Sequence, residues 1–274
     1  MKTVFVFFAA LALAADPNYL RQIQQYRALR EAELKQDDGW LTVVALFRLK
    51  EGDNRVGSAE GNPISLPPSA PAHLGVISFS HGKAIYRETG QPERELKPNT
   101  DIIRTGNVSF FVIKRGEEYL IRVKDNASAL RRTFTGLKWF PVDPSWKITA
   151  KFTPFEQPKT ILFDSQNGVK QPMKSPGMVT FTRAGKQYSL EPVTEGHRLF
   201  FIFRDATSNK STYGAARFLY AELPQNGTVI LDFNAAINPP CAFTPYATCP
   251  LPPPENRLPL AISAGEMKYS DAIE

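Results

Sequence analysis

Cysteine and histidine are scarce in this 274-residue chain, which holds two of the first and three of the second. His73, His81 and His197 stand far apart, and the spacing from Cys241 to Cys249 is longer than structural zinc ligands use, so no metal site is expected. There is no Gly-x-Ser-x-Gly elbow, Walker loop or dinucleotide fingerprint. That argues against serine esterase, nucleotide hydrolase and dehydrogenase chemistry, and leaves no cofactor to expect. No stretch beyond the first residues approaches the roughly 20 apolar positions of a spanning helix, and no repeat of roughly 20 to 50 residues recurs. A strong excess of one charge is missing as well. The net charge of +6, from 33 basic and 27 acidic side chains, is too mild to imply a nucleic-acid partner.

With 42% hydrophobic and 22% charged residues the chain has enough apolar material for a real core. Lys2, the apolar run Val4 to Ala14 and the small-x-small Ala12-Leu13-Ala14 read as a signal peptide over residues 1–14. The mature protein is then expected to be secreted or periplasmic, with no transmembrane segment. No cysteine stands at the cut, which argues against a lipid anchor. Asp16-Pro17 supplies an N-cap with proline at the first helical position, and Tyr19, Ile23 and Tyr26 form one stripe, so an N-terminal helix is expected within 15–38.

From Trp40 the pattern changes to short apolar or alternating runs broken by Gly, Pro, Asn and Asp, which indicates strands. Trp40 to Leu49, Asn54 to Gly57, Ile64 to Leu66, Gly75 to Phe79, Lys83 to Tyr86, Val108 to Lys114 and Tyr119 to Lys124 make a first sandwich-like half over 39–126. The placement of Arg55-Val-Gly-Ser58 before Asn62 and Leu66 loosely resembles a forkhead-associated sandwich. Ser58 stands where the phosphate-reading arginine belongs, so the resemblance implies a shared shape and no phosphopeptide binding. Residues 127–145 read as a connector. Its run Arg131 to Trp139 mixes basic and aromatic residues, the nearest approach here to an anion-binding patch; a solvated connector with aromatics turned inward is the plainer reading.

The second half, 146–274, opens with alternation from Trp146 to Phe155. It continues through Thr160 to Phe163, Met178 to Thr182, Gln187 to Leu190, Leu199 to Arg204, Tyr213 to Tyr220 and Thr228 to Phe233. The expected fold is therefore mainly β: an antiparallel sandwich or partly open barrel in two packed halves, with the N-terminal helix and a proline-rich C-terminal strap. Eight of the 23 prolines lie between Pro239 and Pro259. Each fixes its own φ and biases the preceding residue to extended conformations, so the strap loses little backbone entropy on folding.

The run Asn238-Pro-Pro-Cys-Ala-Phe-Thr-Pro-Tyr-Ala-Thr-Cys-Pro-Leu-Pro-Pro-Pro-Glu-Asn-Arg-Leu-Pro259 resembles the signature of the prokaryotic domain-of-unknown-function family 1684. Asp38-Gly-Trp-Leu41, Arg132-Thr-Phe-Thr-Gly136, Phe140-Pro-Val-Asp-Pro144, Phe203-Arg-Asp-Ala206 and Thr212-Tyr-Gly214 are similar to the same pattern, across nearly the whole mature chain. Ala215-Ala216 departs from it, where further glycine belongs. The resemblance implies no activity, substrate or cofactor.

Three functional readings remain open. The first is an exported protein that binds a small polar ligand, a saccharide or an acidic group, in a cleft walled by the 232–259 strap, with Asn234, Asn238, Tyr246, Asn256, Arg257 and Tyr213 as ligand-binding candidates. The second is a hydrolase with paired carboxylates drawn from Asp232, Glu255 and Asp205 and with Arg257 holding an anion. The third is a strap that only closes the fold. Cys241 and Cys249 are disulfide candidates in an exported protein, with a pair of free buried thiols as the alternative. Oligomeric state is left open.

Overall fold

The computed structural model describes residues 16–88, 90–165 and 168–269, so the 1–14 leader lies outside the described residues. Helix α1 (Pro17–Lys35) precedes strands β1 (Val43–Arg48), β2 (Gly52–Gly57), β3 (Ile64–Ser65), β4 (Gly75–Ser80), β5 (Lys83–Glu88), β6 (Arg94–Glu95), β7 (Ile102–Thr105), β8 (Val108–Arg115) and β9 (Glu118–Asp125). A short helix α2 (Ala129–Thr133) leads to β10 (Lys147–Phe163), β11 (Gln171–Arg183), β12 (Lys186–Leu190), β13 (Val193–Glu195), β14 (Arg198–Phe203), β15 (Arg217–Glu222) and β16 (Thr228–Asp232). The strap that follows contains only short 3-10 turns. Among the described residues no helix is long and apolar enough to cross a membrane.

The first half is a sandwich of two sheets, ordered β1-β9-β8-β7 and β3-β2-β4-β5-β6, antiparallel except for the β2–β3 pair. Period-two patterning sets its core: Val108, Phe110 and Val112 of β8, Ile121 and Val123 of β9 and Ile77 and Phe79 of β4 point inward together. The β4–β5 turn places His81 and Gly82 at φ of 49° and 80°, the left-handed pair that a two-residue hairpin needs.

The second half sets the sheet β12-β11-β10-β16 against the three-stranded β13-β14-β15 without closing a barrel. Trp146, Phe181, Leu199, Phe201, Phe203, Leu231 and Phe233 fill the space between. The other side of β14 and β15 is apolar too: Phe200, Ile202 and Phe218 belong to a separate cluster with Ile237, Ala247 and Cys249 of the strap, and Tyr26, Trp40 and Trp139 pack on it. Burial on both faces explains why Leu199 to Phe203 reads as an unbroken apolar run.

Several element boundaries differ from expectation. β10 runs unbroken through Pro154 and Pro158, because the β10–β11 register shifts between Pro154 and Lys159 and a bulge tolerates residues that lack a donor. Tyr213 to Ala216 lie outside β15, which starts at Arg217, and the connector contains α2. The tip of the β8–β9 hairpin reaches the second half: a Cβ on Gly116 would meet the Lys170 carbonyl at 2.6 Å, so only glycine permits that approach.

Helix α1 starts as expected, with the Asp16 side chain accepting from the Asn18 backbone N–H at 2.9 Å and Pro17 at the first position. It lies over the start of the strap. The Tyr26 hydroxyl donates to the Ala235 carbonyl at 3.0 Å and Arg30 Nη2 to the Asn238 carbonyl at 3.1 Å. Beneath it Glu266 is fully buried, accepting from Asn238 Nδ2 at 2.7 Å, with Arg30 Nε at 3.7 Å from its second oxygen. Burial lifts this carboxyl from 4.5 to about 7, and Arg30 offsets only part of the rise.

A pH-dependent stability follows. The folded state keeps the Glu266 proton above the pH at which the unfolded chain releases it, so between about 4.5 and about 7 this group makes stability fall as pH rises. Urea unfolding across that range should show a downward slope that Glu266→Gln flattens; equal slopes for the two proteins would rule this out.

Candidate functional site

The polar side chains of the strap turn mostly into the fold. Asp205 is a buried ion-pair partner: Arg217 Nη1 donates to it at 2.6 Å, both side chains are fully shielded, and the Thr207 N–H donates to its other oxygen at 2.6 Å. Arg217 also donates to the Ile262 carbonyl at 3.0 Å and to the Ala264 carbonyl, which fastens the end of the chain to β15. Burial lowers its pKa, and Asp205 acts against that. Asp232 accepts from the Tyr19 hydroxyl at 2.9 Å and caps the next turn through the Asn234 N–H at 3.1 Å. Asn234 is buried and bonds both the Asp143 N–H (3.0 Å) and its carbonyl (2.8 Å).

Asn238 holds Glu266 and the Met267 carbonyl. Asn256 is fully buried, accepting from Glu191 N–H at 2.7 Å and donating to the Glu191 and Ile202 carbonyls at 2.9 Å each, so one side chain ties the strap across β12 and β14. The Tyr213 hydroxyl donates to the Cys241 carbonyl at 3.2 Å, and Tyr246 stands exposed. Glu255 and Arg257 are exposed beside Lys186 and Tyr188 in a shallow hollow. Among the described residues Glu255 lines the shallow hollow while Asp205 is shielded in its ion pair and Asp232 is bonded to Tyr19 and Asn234, and paired acid and base work requires a shared concavity.

A deeper concavity lies elsewhere, where α1, the outer face of β13-β14-β15, the first half and the strap meet. Its main lobe, about 510 Å³, has an aromatic floor of Phe200, Phe218 and Tyr220, with Tyr26 and Arg30 on one wall and Thr248, Cys249 and Pro250 of the strap on another. Phe200 stacks on Tyr220 at 4.7 Å between ring centres and meets Phe218 edge-on at 4.8 Å. Arg115 Nε fixes the strap wall by donating to Thr248 Oγ1 at 3.2 Å, and Gln171 donates to the Thr248 carbonyl at 2.7 Å. A second lobe of about 370 Å³ shares Arg30, Glu33 and Trp40 with the first and adds Asp38, Arg122 and Lys124.

Arg122 is the unusual member. Strand alternation turns Ile121 and Val123 into the sandwich core, so Arg122 and Lys124 project from the opposite face of β9 toward the cleft. Its guanidinium rests 4.8 Å from the Trp40 ring centre, the residue is only 4% exposed, and Nε and Nη2 find no hydrogen-bond partner among the described residues. Burial, then the neighbouring Arg115, lowers its pKa to about 10, which leaves it cationic at neutral pH. A buried cation with idle donors at the edge of an open lobe is a cost unless an anion meets it. Asp38 does not serve, since despite its burial it is held below the usual carboxylate range by Arg104 and Ser109, and Lys124 donates to its carbonyl.

Cys241 and Cys249 stand as neighbouring thiols and not as a bond. The Cys241 N–H donates to Cys249 Sγ at 3.2 Å and the Cys249 N–H to Cys241 Sγ at 3.4 Å. A hydrogen bond from the Cys249 thiol, with Arg122 nearby, lowers the Cys241 pKa; burial, then the Cys241 sulfur, raises that of Cys249. Among the described residues no group of three His, Cys, Asp or Glu side chains could hold a metal ion.

Of the residues singled out in sequence, Cys249 lines the cleft, whereas Asp232, Asn234, Asn238, Asn256, Arg257, Tyr213 and Tyr246 do not. Arg30, Arg115 and Arg122 emerge only from the structure. The available signal was an arginine alternating with Ile121 and Val123 inside an apolar strand, and its meaning depends on which element covers that face.

Residues 132–267 match the family model described as Protein of unknown function (DUF1684). Asp38 to Leu41 lie outside that match. No curated protein matches the chain. Among solved structures, an uncharacterized protein of Haloarcula marismortui is similar, at 30% identity over 52% of this chain and 80% of that one, with a TM-score of 0.44.

Because Asp205 and Arg217 are fully shielded, removing one partner strands a charge. Asp205→Ala should cost roughly 3 to 5 kcal/mol in urea unfolding, and a loss below about 1 kcal/mol would contradict the structural role given to the pair.

Proposed function

Given that the chain belongs, through residues 132–267, to the DUF1684 family, we propose that it is an exported binding protein for a small molecule with an anionic head and a flat apolar body. The idle, buried Arg122 donors beside an open lobe carry this reading. The head, a carboxylate or phosphate, meets Arg122 with help from Arg30 and Lys124, because charge-assisted bonds to a guanidinium are the strong ones. The body extends into the main lobe, whose apolar lining includes the part of Phe200, Phe218 and Tyr220 left open between their mutual stacking contacts.

The strap contributes Thr248, Cys249 and Pro250 as a wall, while most of its polar side chains close the fold. A saccharide is the weaker candidate, since a neutral polyol leaves the cation unanswered. The hydrolase alternative is disfavoured because Asp205 is held in a shielded ion pair and Asp232 is bonded to Tyr19 and Asn234, leaving Glu255 alone in its hollow. Export rests on the sequence of residues 1–14, and intact mass of the protein recovered from outside the cytoplasm should show cleavage after Ala14.

Calorimetric titration with phenyl phosphate, benzoate and glucose tests the ligand class. The two anions should bind and glucose should not. Arg122→Met, similar in length and uncharged, should fold at least as stably yet weaken phenyl phosphate binding by roughly 10- to 100-fold, the range of a hydrogen bond to a charged group. Undiminished binding by that variant, or preference for the neutral sugar, would overturn the reading.

A further inference from the structure

In the binding scheme above Cys249 is only part of a wall, and the chemistry of the pair Cys241 and Cys249 is unused. The two residues lie at opposite ends of a short proline-turned loop, and each backbone N–H points at the other's sulfur, at 3.2 and 3.4 Å. That reciprocal arrangement holds both sulfurs in one place without a covalent bond. Cys241 is partly exposed, whereas Cys249 is 6% exposed and lines the main lobe. Arg122, which faces the second lobe, is close enough to influence both thiols, and Arg115 interacts with Cys249. A partly exposed sulfur with a second sulfur held behind it by reciprocal N–H bonds has the layout of an attacking and a resolving thiol.

We propose that Cys241 and Cys249 form a reactive dithiol that exchanges with low-molecular-weight disulfides, and that its oxidation tightens anion binding in the adjoining cleft. In the first step the Cys241 thiolate attacks one sulfur of the small disulfide, whose S–S bond breaks to release a thiolate. Cys249 then loses its proton to solvent and attacks Cys241 Sγ, expelling the second small thiolate. Two electrons pass from the protein pair to the small disulfide, which leaves as two thiols. The hydrogen bond from Cys249 and the charge of Arg122 favour the Cys241 thiolate, in keeping with the order of attack.

The coupling to the cleft rests on the binding reading given under Proposed function. Whenever Cys241 is ionised in the reduced protein, its sulfur carries negative charge that Arg122 senses, and that charge competes with an incoming anion. Oxidation removes that charge and leaves the guanidinium to the ligand. By reciprocity, bound anion should in turn disfavour the thiolate.

Full-chain protein is reacted with oxidised glutathione and its mass measured, then phenyl phosphate is titrated into the reduced and oxidised forms at pH 8. The expected product has lost two hydrogens through one internal bond, and it binds phenyl phosphate at least about fivefold more tightly than the reduced form, the low end of ordinary coupling between sites. Cys249→Ser should stop at a stable glutathione adduct on Cys241, and Cys241→Ser should react far more slowly. No internal bond in the parent protein overturns the dithiol site. Formation of the bond with unchanged affinity overturns the coupling. If the bond forms but neither redox form binds phenyl phosphate, the reading of the cleft fails and takes the coupling with it, while the reactive dithiol stands.

Discussion

A three-stranded sheet that is apolar on both faces must be covered twice, and the second half of this molecule follows from that requirement. Leu199, Phe201 and Phe203 turn one way and Phe200 and Ile202 the other. The first cover is the sheet β12-β11-β10-β16. The second is assembled from unlike parts: α1, Trp40, Trp139 and the strap. Area removed from water drives both, but a cover made of pieces leaves gaps where the pieces meet. The cleft is such a gap, and the largely buried Phe200 and Phe218 together with Tyr220 form its floor.

The same assembly concentrates positive charge. α1 contributes Arg30, and the face of β9 turned away from its own core contributes Arg122 and Lys124. Several carboxylates are engaged, Glu266 with Asn238 and Arg30, Asp38 with Arg104 and Ser109 and Asp205 with Arg217, while Glu33 and Glu195 line the cleft among the cations. What the cleft offers a ligand is therefore decided by which charges the fold has left uncompensated, more than by which residues are present.

Local chemistry in the sequence was a sound guide wherever one segment settles its own shape. The Asp16-Pro17 cap announces α1, alternation in β8 and β9 announces the first core, and the run Leu199 to Phe203 marks a strand covered on both sides. The family was legible for a similar reason, since the proline-rich run that resembles it is contiguous and falls within the matched residues 132–267. Proline misled at β10, because a bulge that absorbs Pro158 depends on the partner strand and not on the segment itself. The site was hardest. Asn234, Asn238 and Asn256 stand out in sequence as polar groups in or just before the proline-rich run, yet they face backbone groups of distant segments. Arg122 looks like an ordinary surface residue until the opposing half is docked over it.

The exchange of backbone bonds between Ile237 and Phe218, each 2.9 Å, has a further effect. It occupies the outer border of β15 at that point, and Pro239-Pro240 follow at once, with no N–H to continue a ladder. At Phe218 that border is already paired, and because Pro239 and Pro240 lack N–H donors the strap cannot carry the ladder further along itself.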